Sequence, residues 1–160
     1  LLPDSSGLDA GSVQDEALRL FEGRFGVDRT FLAQITFIEL RDEIWAYRSI
    51  APAGIASNRP PGLRALRRHG ERLKPTSTFL IALGNRITTS RIDLSVDTLR
   101  RVLLGQRIPY PSSLEDGYVA LCFRRDVIGC GRIRGEMLQA LIPTGRRREL
   151  LGALTADPRD

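Results

Sequence analysis

The sequence predicts an α+β chain in which a small N-terminal α/β unit precedes a β pseudo-barrel. Three observations point that way. Val13, Ala17, Leu18, Leu20 and Phe21 recur at helical spacing. Alternating stretches rich in β-formers follow at 31–40 and 43–48, and more crowd residues 118–141 with turn residues between them. Between these regions, Ser49–Pro61 holds Pro52, Gly54, Pro60 and Pro61 and reads as a linker. The expected division is residues 1–72, including a basic linker, and residues 73–160.

The elements follow in order. Residues 1–11, rich in Pro, Ser, Gly and Asp, predict a frayed arm. Ser12 is placed as the cap of the first helix, and Asp15 and Glu16 suit its positive end. Gly23 and Gly26 close it. Phe31–Leu40 and Glu43–Arg48 form a hairpin about Arg41-Asp42. Pro61 or Gly62 then opens a short helix carrying Leu63, Leu66 and several arginines. Thr78–Leu83 predicts a buried strand, closed by Gly84-Asn85 and paired with Ile87–Ile92. Ser95 caps a helix over Val96–Leu104, stopped by Gly105. Strands follow at Tyr118–Phe123, Val127–Ile133 and Met137–Leu141, with turns at Arg124–Asp126 and Arg134–Glu136. Pro143-Thr144-Gly145 ends the last strand and Arg146–Leu151 reads as helix. Short strands with glycine turns predict a small closed barrel over 73–152.

Charge is uneven along the chain. Residues 1–50 carry five arginines against nine acids, net −4, whereas the rest carries +9, for a total of +5. The densest cluster is Gly62–Thr76, with Arg64, Arg67, Arg68, Arg72 and Lys74 against Glu71 alone. Fixed cations of one sign displace condensed counterions from a nucleic-acid backbone, so an anionic partner is expected. The alternative is a solvated basic surface, because 23 of the 24 basic residues are arginine and that bias can reflect genome composition. Arg146-Arg147-Arg148 at the start of the last helix oppose its dipole, for which phosphate binding is one reason and pairing with Glu149 another. Arg132 and Arg134 flank Ile133 and so share one sheet face. Phe37, Trp45 and Tyr47 suit either base stacking or a half-buried core.

Little else points to chemistry. His69 is the only histidine, its neighbours are mostly cationic, and a nucleophile–base pair needs a third group to orient the base. Two cysteines are too few for a disulfide scaffold or a four-cysteine zinc site. Cys122 and Cys130 would face each other if their hairpin were centred on Asp126, which leaves either a disulfide or, as favoured, buried thiols. Gly129-Cys130-Gly131 resembles a dinucleotide fingerprint only in part, since a strand follows it rather than a helix. The glycines read instead as close backbone packing. No catalytic residue, metal or cofactor is expected. No apolar run approaches the roughly 20 residues that cross a bilayer. No basic segment leading into an apolar core opens the chain, so no secretory signal is predicted.

The stretches GLRALRRHGERLKPTSTFLIALG, DLSVDTLRRVLLGQRI and DGYVALCFRRDVIGCGRIRGEMLQALIPTGRR resemble a known family in their order and spacing. They are similar to archaeal proteins that join a pre-PUA α/β domain to a PUA domain. The same pair occurs at the C-terminus of Sun-class rRNA cytosine-5 methyltransferases and in a PUA-containing ribosome-biogenesis factor. The resemblance spans about residues 15–150. It implies a PUA-like pseudo-barrel of about six strands that binds structured RNA. It also implies that basic residues late in that domain take part, here Arg132, Arg134 and Arg146–Arg148. The sequence shows no S-adenosylmethionine-binding glycine loop and no catalytic Pro-Cys motif, so the methyltransferase activity does not carry over.

The expected function is therefore recognition of structured rRNA or tRNA by shape and phosphate contacts, in RNA modification or ribosome maturation in an archaeal cytoplasm. The expected contacts are Arg64, Arg67, Arg68, Arg72, Lys74, Arg132, Arg134 and Arg146–Arg148. The alternative is an adaptor whose acidic first third docks a modification enzyme or ribosomal protein.

Overall fold

Helix α1 (Ser6–Arg19) runs directly into a single π-helical turn, Leu20–Arg24. The computed structural model describes residues 6–48 and 62–156, with side chains from Val13 onward in α1. Val13, Ala17 and Phe21, spaced by four, form one buried stripe. The frayed arm is corrected for residues 6–11, which are helical, and Ser12 is an interior residue rather than a cap. Gly7 and Gly11 lower helix propensity without forbidding the helix, and they masked its true start. Residues 1–5 and the predicted linker at 49–61 lie outside the described residues.

Strand β1 also starts later than expected. Asp28 caps a single helical turn, α2 (Arg29–Leu32), its carboxylate accepting from the Thr30 N–H at 2.7 Å. Strands β1 (Ile35–Leu40), β2 (Glu43–Arg48), β3 (Leu63–His69) and β4 (Arg72–Pro75) form an antiparallel sheet in sequence order. The Arg41-Asp42 turn between β1 and β2 has both residues at positive φ, as a twist-matched two-residue hairpin requires.

Two sequence expectations exchange places here. The helix predicted after Gly62 is the β3–β4 hairpin, turned at Gly70-Glu71 with Gly70 at φ 60°. Leu, Arg and Ala favour a helix in isolation, but pairing with β2 on one side and β4 on the other overrides that preference. A bulge at Ala65 lets Ala65 and Leu66 both bury, which obscures the period-2 signal. Conversely, the strand predicted at Thr78–Leu83 is helix α3 (Ser77–Leu83). Thr76 is its cap: its hydroxyl accepts from the Phe79 N–H at 3.1 Å and donates to the Arg64 carbonyl at 2.6 Å. Gly84 closes it at φ 52°. A short apolar run does not separate helix from strand, and here the cap decides. Ile87–Ile92 is accordingly no hairpin partner; a 3-10 turn leads to β5 (Arg91–Asp93), which pairs in parallel with β7.

The second sheet holds β5, β6 (Ile108–Pro109), β7 (Gly117–Phe123), β8 (Asp126–Arg134) and β9 (Met137–Ala140) in the order β5-β7-β8-β9-β6. The sheet curls into a half-barrel of five described strands, where the resemblance implied about six. Helices α4 (Val96–Leu103, capped by Ser95 as predicted) and α5 (Thr144–Ala156) close its concave side. Strands β7 and β8 are buried on both faces. Val119, Leu121, Ile128 and Ile133 point into the half-barrel with Leu99, Val102 and Leu103 of α4. Ala120, Cys122, Val127 and Cys130 point the other way, into a core shared with α1, the first sheet and α3. Phe21 lies at the centre of that shared core, edge-on to Phe79 at 4.9 Å and stacked on Phe37 at 5.9 Å. Ser77 at the start of α3 bridges onto β8, accepting from the Cys130 N–H at 2.9 Å. The expected junction between residues 72 and 73 falls inside β4.

The glycines of β8 mark close packing. An ideal Cβ on Gly131 would meet Leu121 Cδ2 at 2.8 Å and the Gln139 carbonyl oxygen at 3.1 Å. Cys122 and Cys130 are both free and buried. Their hairpin turns at Arg124-Arg125, so Cys122 opposes Val127 and Cys130 opposes Ala120, and the condition for a facing pair is not met. Burial pushes the Cys130 thiol up to about 12, with Lys74 opposing, and raises Cys122 as well, with Arg91 opposing. A thiol held neutral in the fold stabilises fully below its unfolded pKa and ceases to do so as pH rises toward its folded one. Stability should therefore fall above pH 9, by at most about 1.4 kcal/mol per pH unit from Cys130. The direct check is Ellman's reagent at pH 8: no reaction in the folded protein and two thiols released in urea. A thiol that reacts at once in the native state would contradict this assignment.

Candidate nucleic-acid interface

On β8, Ile133 points into the half-barrel and the flanking Arg132 and Arg134 point outward, as alternation demands. Arg132 lies opposite Tyr118 on β7 and Gln139 on β9, and Arg134 lies opposite Met137. The first sheet contributes Arg72 at the start of β4, and the π turn contributes Arg24. Together these side chains line a cleft of ≈ 450 Å³ between the two sheets, walled by Tyr118, Leu20 and Leu73. A smaller groove of ≈ 360 Å³ continues past Arg132 and Arg134 to Met137, Gln139 and Arg107. The two depressions share Arg132 and Arg134, so the basic face is continuous.

Arg24 is fixed in place. Its Nε donates to the Tyr118 carbonyl and an Nη to the Glu115 carbonyl, both at 2.8 Å. Its own carbonyl accepts from the Ser90 hydroxyl at 2.6 Å and the Thr89 hydroxyl at 2.9 Å. Burial pulls its pKa below the ordinary arginine value, while Glu115 and Asp116 oppose the shift. Its guanidinium lies 3.2 Å from where a Cβ on Gly117 would stand, and Gly117 sits at φ 144°. Asp116 is the one acid in the cleft lining, and its carboxylate accepts from the Gly135 N–H at 3.1 Å. Burial and the nearby Cys130 push the Tyr118 hydroxyl up, while Arg132 and Arg72 pull it down.

The other sequence-predicted residues divide by what already holds them. Arg68 donates to both oxygens of Glu39, at 2.6 and 3.1 Å, and to Glu16 at 2.8 Å. Those bonds raise its pKa well above the usual arginine value. Arg64 pairs with Glu43 at 2.8 Å. Arg67 and Lys74 oppose each other across β3–β4. At the start of α5, Arg146 pairs with Glu149 at 3.2 Å and Arg147 donates to the Thr144 hydroxyl at 3.1 Å. Arg148 is exposed, and none of these three lines the cleft. Phe37 is core, while Trp45 and Tyr47 are half-buried. Arg24, Arg107 and Tyr118 were not predicted. Arg24 carries no local signal, because its partners are more than 90 residues away.

Residues 89–148 match the family model of the methyltransferase RsmF PUA domain. The second sheet is a PUA-like pseudo-barrel. The match spans β5 to the first turn of α5 and therefore includes Arg107, Arg132, Arg134 and Arg146–Arg148. Arg24 and Arg72 lie outside it and reach the cleft from the N-terminal unit. No curated protein gives a match to the chain. Among the described residues, no helix is long and apolar enough to cross a membrane, and no three His, Cys, Asp or Glu side chains gather as a metal centre would need.

Proposed function

We propose that this chain binds structured RNA without catalysing a reaction on it, through the basic face running from Arg72 across Arg132 and Arg134 to Arg107. One observation carries the reading: the PUA-like module and the N-terminal unit place arginines in one cleft. Among the described residues, Arg72, Arg132 and Arg134 make no hydrogen bond or ion pair with the protein, which leaves their donors for phosphate oxygens. Arg67 and Lys74 on the β3–β4 hairpin extend this set. Such contacts position a backbone without reading sequence, so recognition is by shape. The similarity to a methyltransferase's PUA domain supports rRNA or tRNA as the target, in modification or ribosome maturation. In this reading the N-terminal unit, residues 1–72, braces and widens the RNA-binding unit, residues 73–160.

The test is binding of bulk tRNA and rRNA fragments across a salt series, with duplex DNA as comparison. Three to four neutralised phosphates predict a slope of log K against log salt of about −2 to −4. Structured RNA should bind more tightly than duplex DNA. No binding at low salt by a folded protein would sink the reading and turn attention to a protein partner for the acidic first third.

A further inference from the structure

We propose that the cleft between the two sheets receives one unpaired nucleotide of the bound RNA, its base against Tyr118, Leu20 and Leu73 and its phosphates at Arg72, Arg132 and Arg134. This rests on the RNA-binding reading and adds what occupies the cleft. Size comes first. At ≈ 450 Å³ the cleft falls in the range of small-ligand pockets, far too small for a helix but suited to one splayed nucleotide.

The chemistry of the walls comes second. A phosphate site alone needs only cations and backbone donors. Here the arginines surround an aromatic ring and aliphatic side chains, the combination that single-stranded recognition uses. Four arginines against one aspartate make the cleft cationic. Asp116, held by the Gly135 N–H, interacts with Arg24 and offsets part of its charge, which leaves Arg72, Arg132 and Arg134 as the phosphate side.

Rigidity comes third. Arg24 ties the π turn to the carbonyls of Glu115 and Tyr118, while Thr89 and Ser90 tie the same turn toward β5. The cleft is thus preformed from two parts of the chain that are locked together, which lowers the ordering cost of binding.

The experiment uses the full chain and two RNA hairpins with the same stem, one blunt and one bearing a single unpaired 2-aminopurine nucleotide. Stacking predicts about tenfold tighter binding of the second. It also predicts quenched 2-aminopurine fluorescence and protection from acrylamide. Tyr118→Leu should remove the gain and the quenching, so that the two hairpins bind alike. Should that variant not fold, the wild-type hairpin pair and its protection decide the matter alone. Equal binding of the two hairpins overturns the proposal and leaves RNA binding intact. Failure of both hairpins to bind overturns the RNA reading itself. Micromolar binding of free adenosine monophosphate, with no hairpin preference, would make the cleft a free-nucleotide site and overturn its assignment to RNA.

Discussion

Replacing Arg72, Arg132 and Arg134 together by alanine is expected to weaken RNA binding by about 100-fold near 0.1 M salt, at about 1 kcal/mol for each lost charge-assisted contact. The salt slope should shrink by about two to three, one per phosphate released. The fold should survive, because Arg134 and Arg72 are exposed, Arg132 is half-buried, and none of the three bonds to a protein group among the described residues. The matched control is Arg146→Ala, Arg147→Ala and Arg148→Ala in one chain. Arg146 is already paired with Glu149 and Arg147 with Thr144, and no α5 side chain lines the cleft. That control should change affinity by no more than a few-fold. If it proves the more damaging of the two, the RNA path runs over α5 and the cleft assignment fails. Thermal melts of both variants beside the wild type separate lost binding from lost fold.

The two arginine groups show how far the sequence reaches. The α+β class and the β7–β8–β9 meander were legible because period-2 stretches are separated by two-residue turns, Arg124-Arg125 and Gly135-Glu136, with both residues at positive φ. Arg132 and Arg134 followed from the same alternation. The hairpin of β3 and β4 was hidden because LRALRRH satisfies helix propensity, while its strand character comes from partners elsewhere in the chain. Helix α3 was hidden because an apolar run fits either structure until Thr76 is recognised as a cap. Which arginine is free and which is engaged depends on acids distant in sequence. Arg68 meets Glu16 and Glu39 only after α1, β1 and β3 have assembled, and a charge cluster read along the chain does not contain that information.

That engagement makes Arg68 the charge whose loss should cost the most stability. Its guanidinium forms a two-point bond with Glu39 and a further bond with Glu16, with its side chain about one-fifth exposed. Arg68→Met keeps the stem volume and removes the charge, leaving two half-buried carboxylates facing each other without a cation. The expected loss is roughly 3 kcal/mol, toward the lower end for a broken ion-pair network because the site is only partly dry. In a chain of this length that corresponds to a fall in Tm of roughly 10 °C. Urea unfolding gives the free energy directly. Adding Glu16→Gln and Glu39→Gln to Arg68→Met should recover part of it, since the carboxylates then no longer repel. Because Arg68 is held above the usual arginine pKa, its contribution is whole at every pH below the arginine range, so its own charge adds no pH slope between 6 and 10. RNA affinity and salt slope should stay at wild-type values in Arg68→Met at temperatures where it is folded. A loss of affinity without a loss of stability would reverse the assignment and return Arg68 to the binding face.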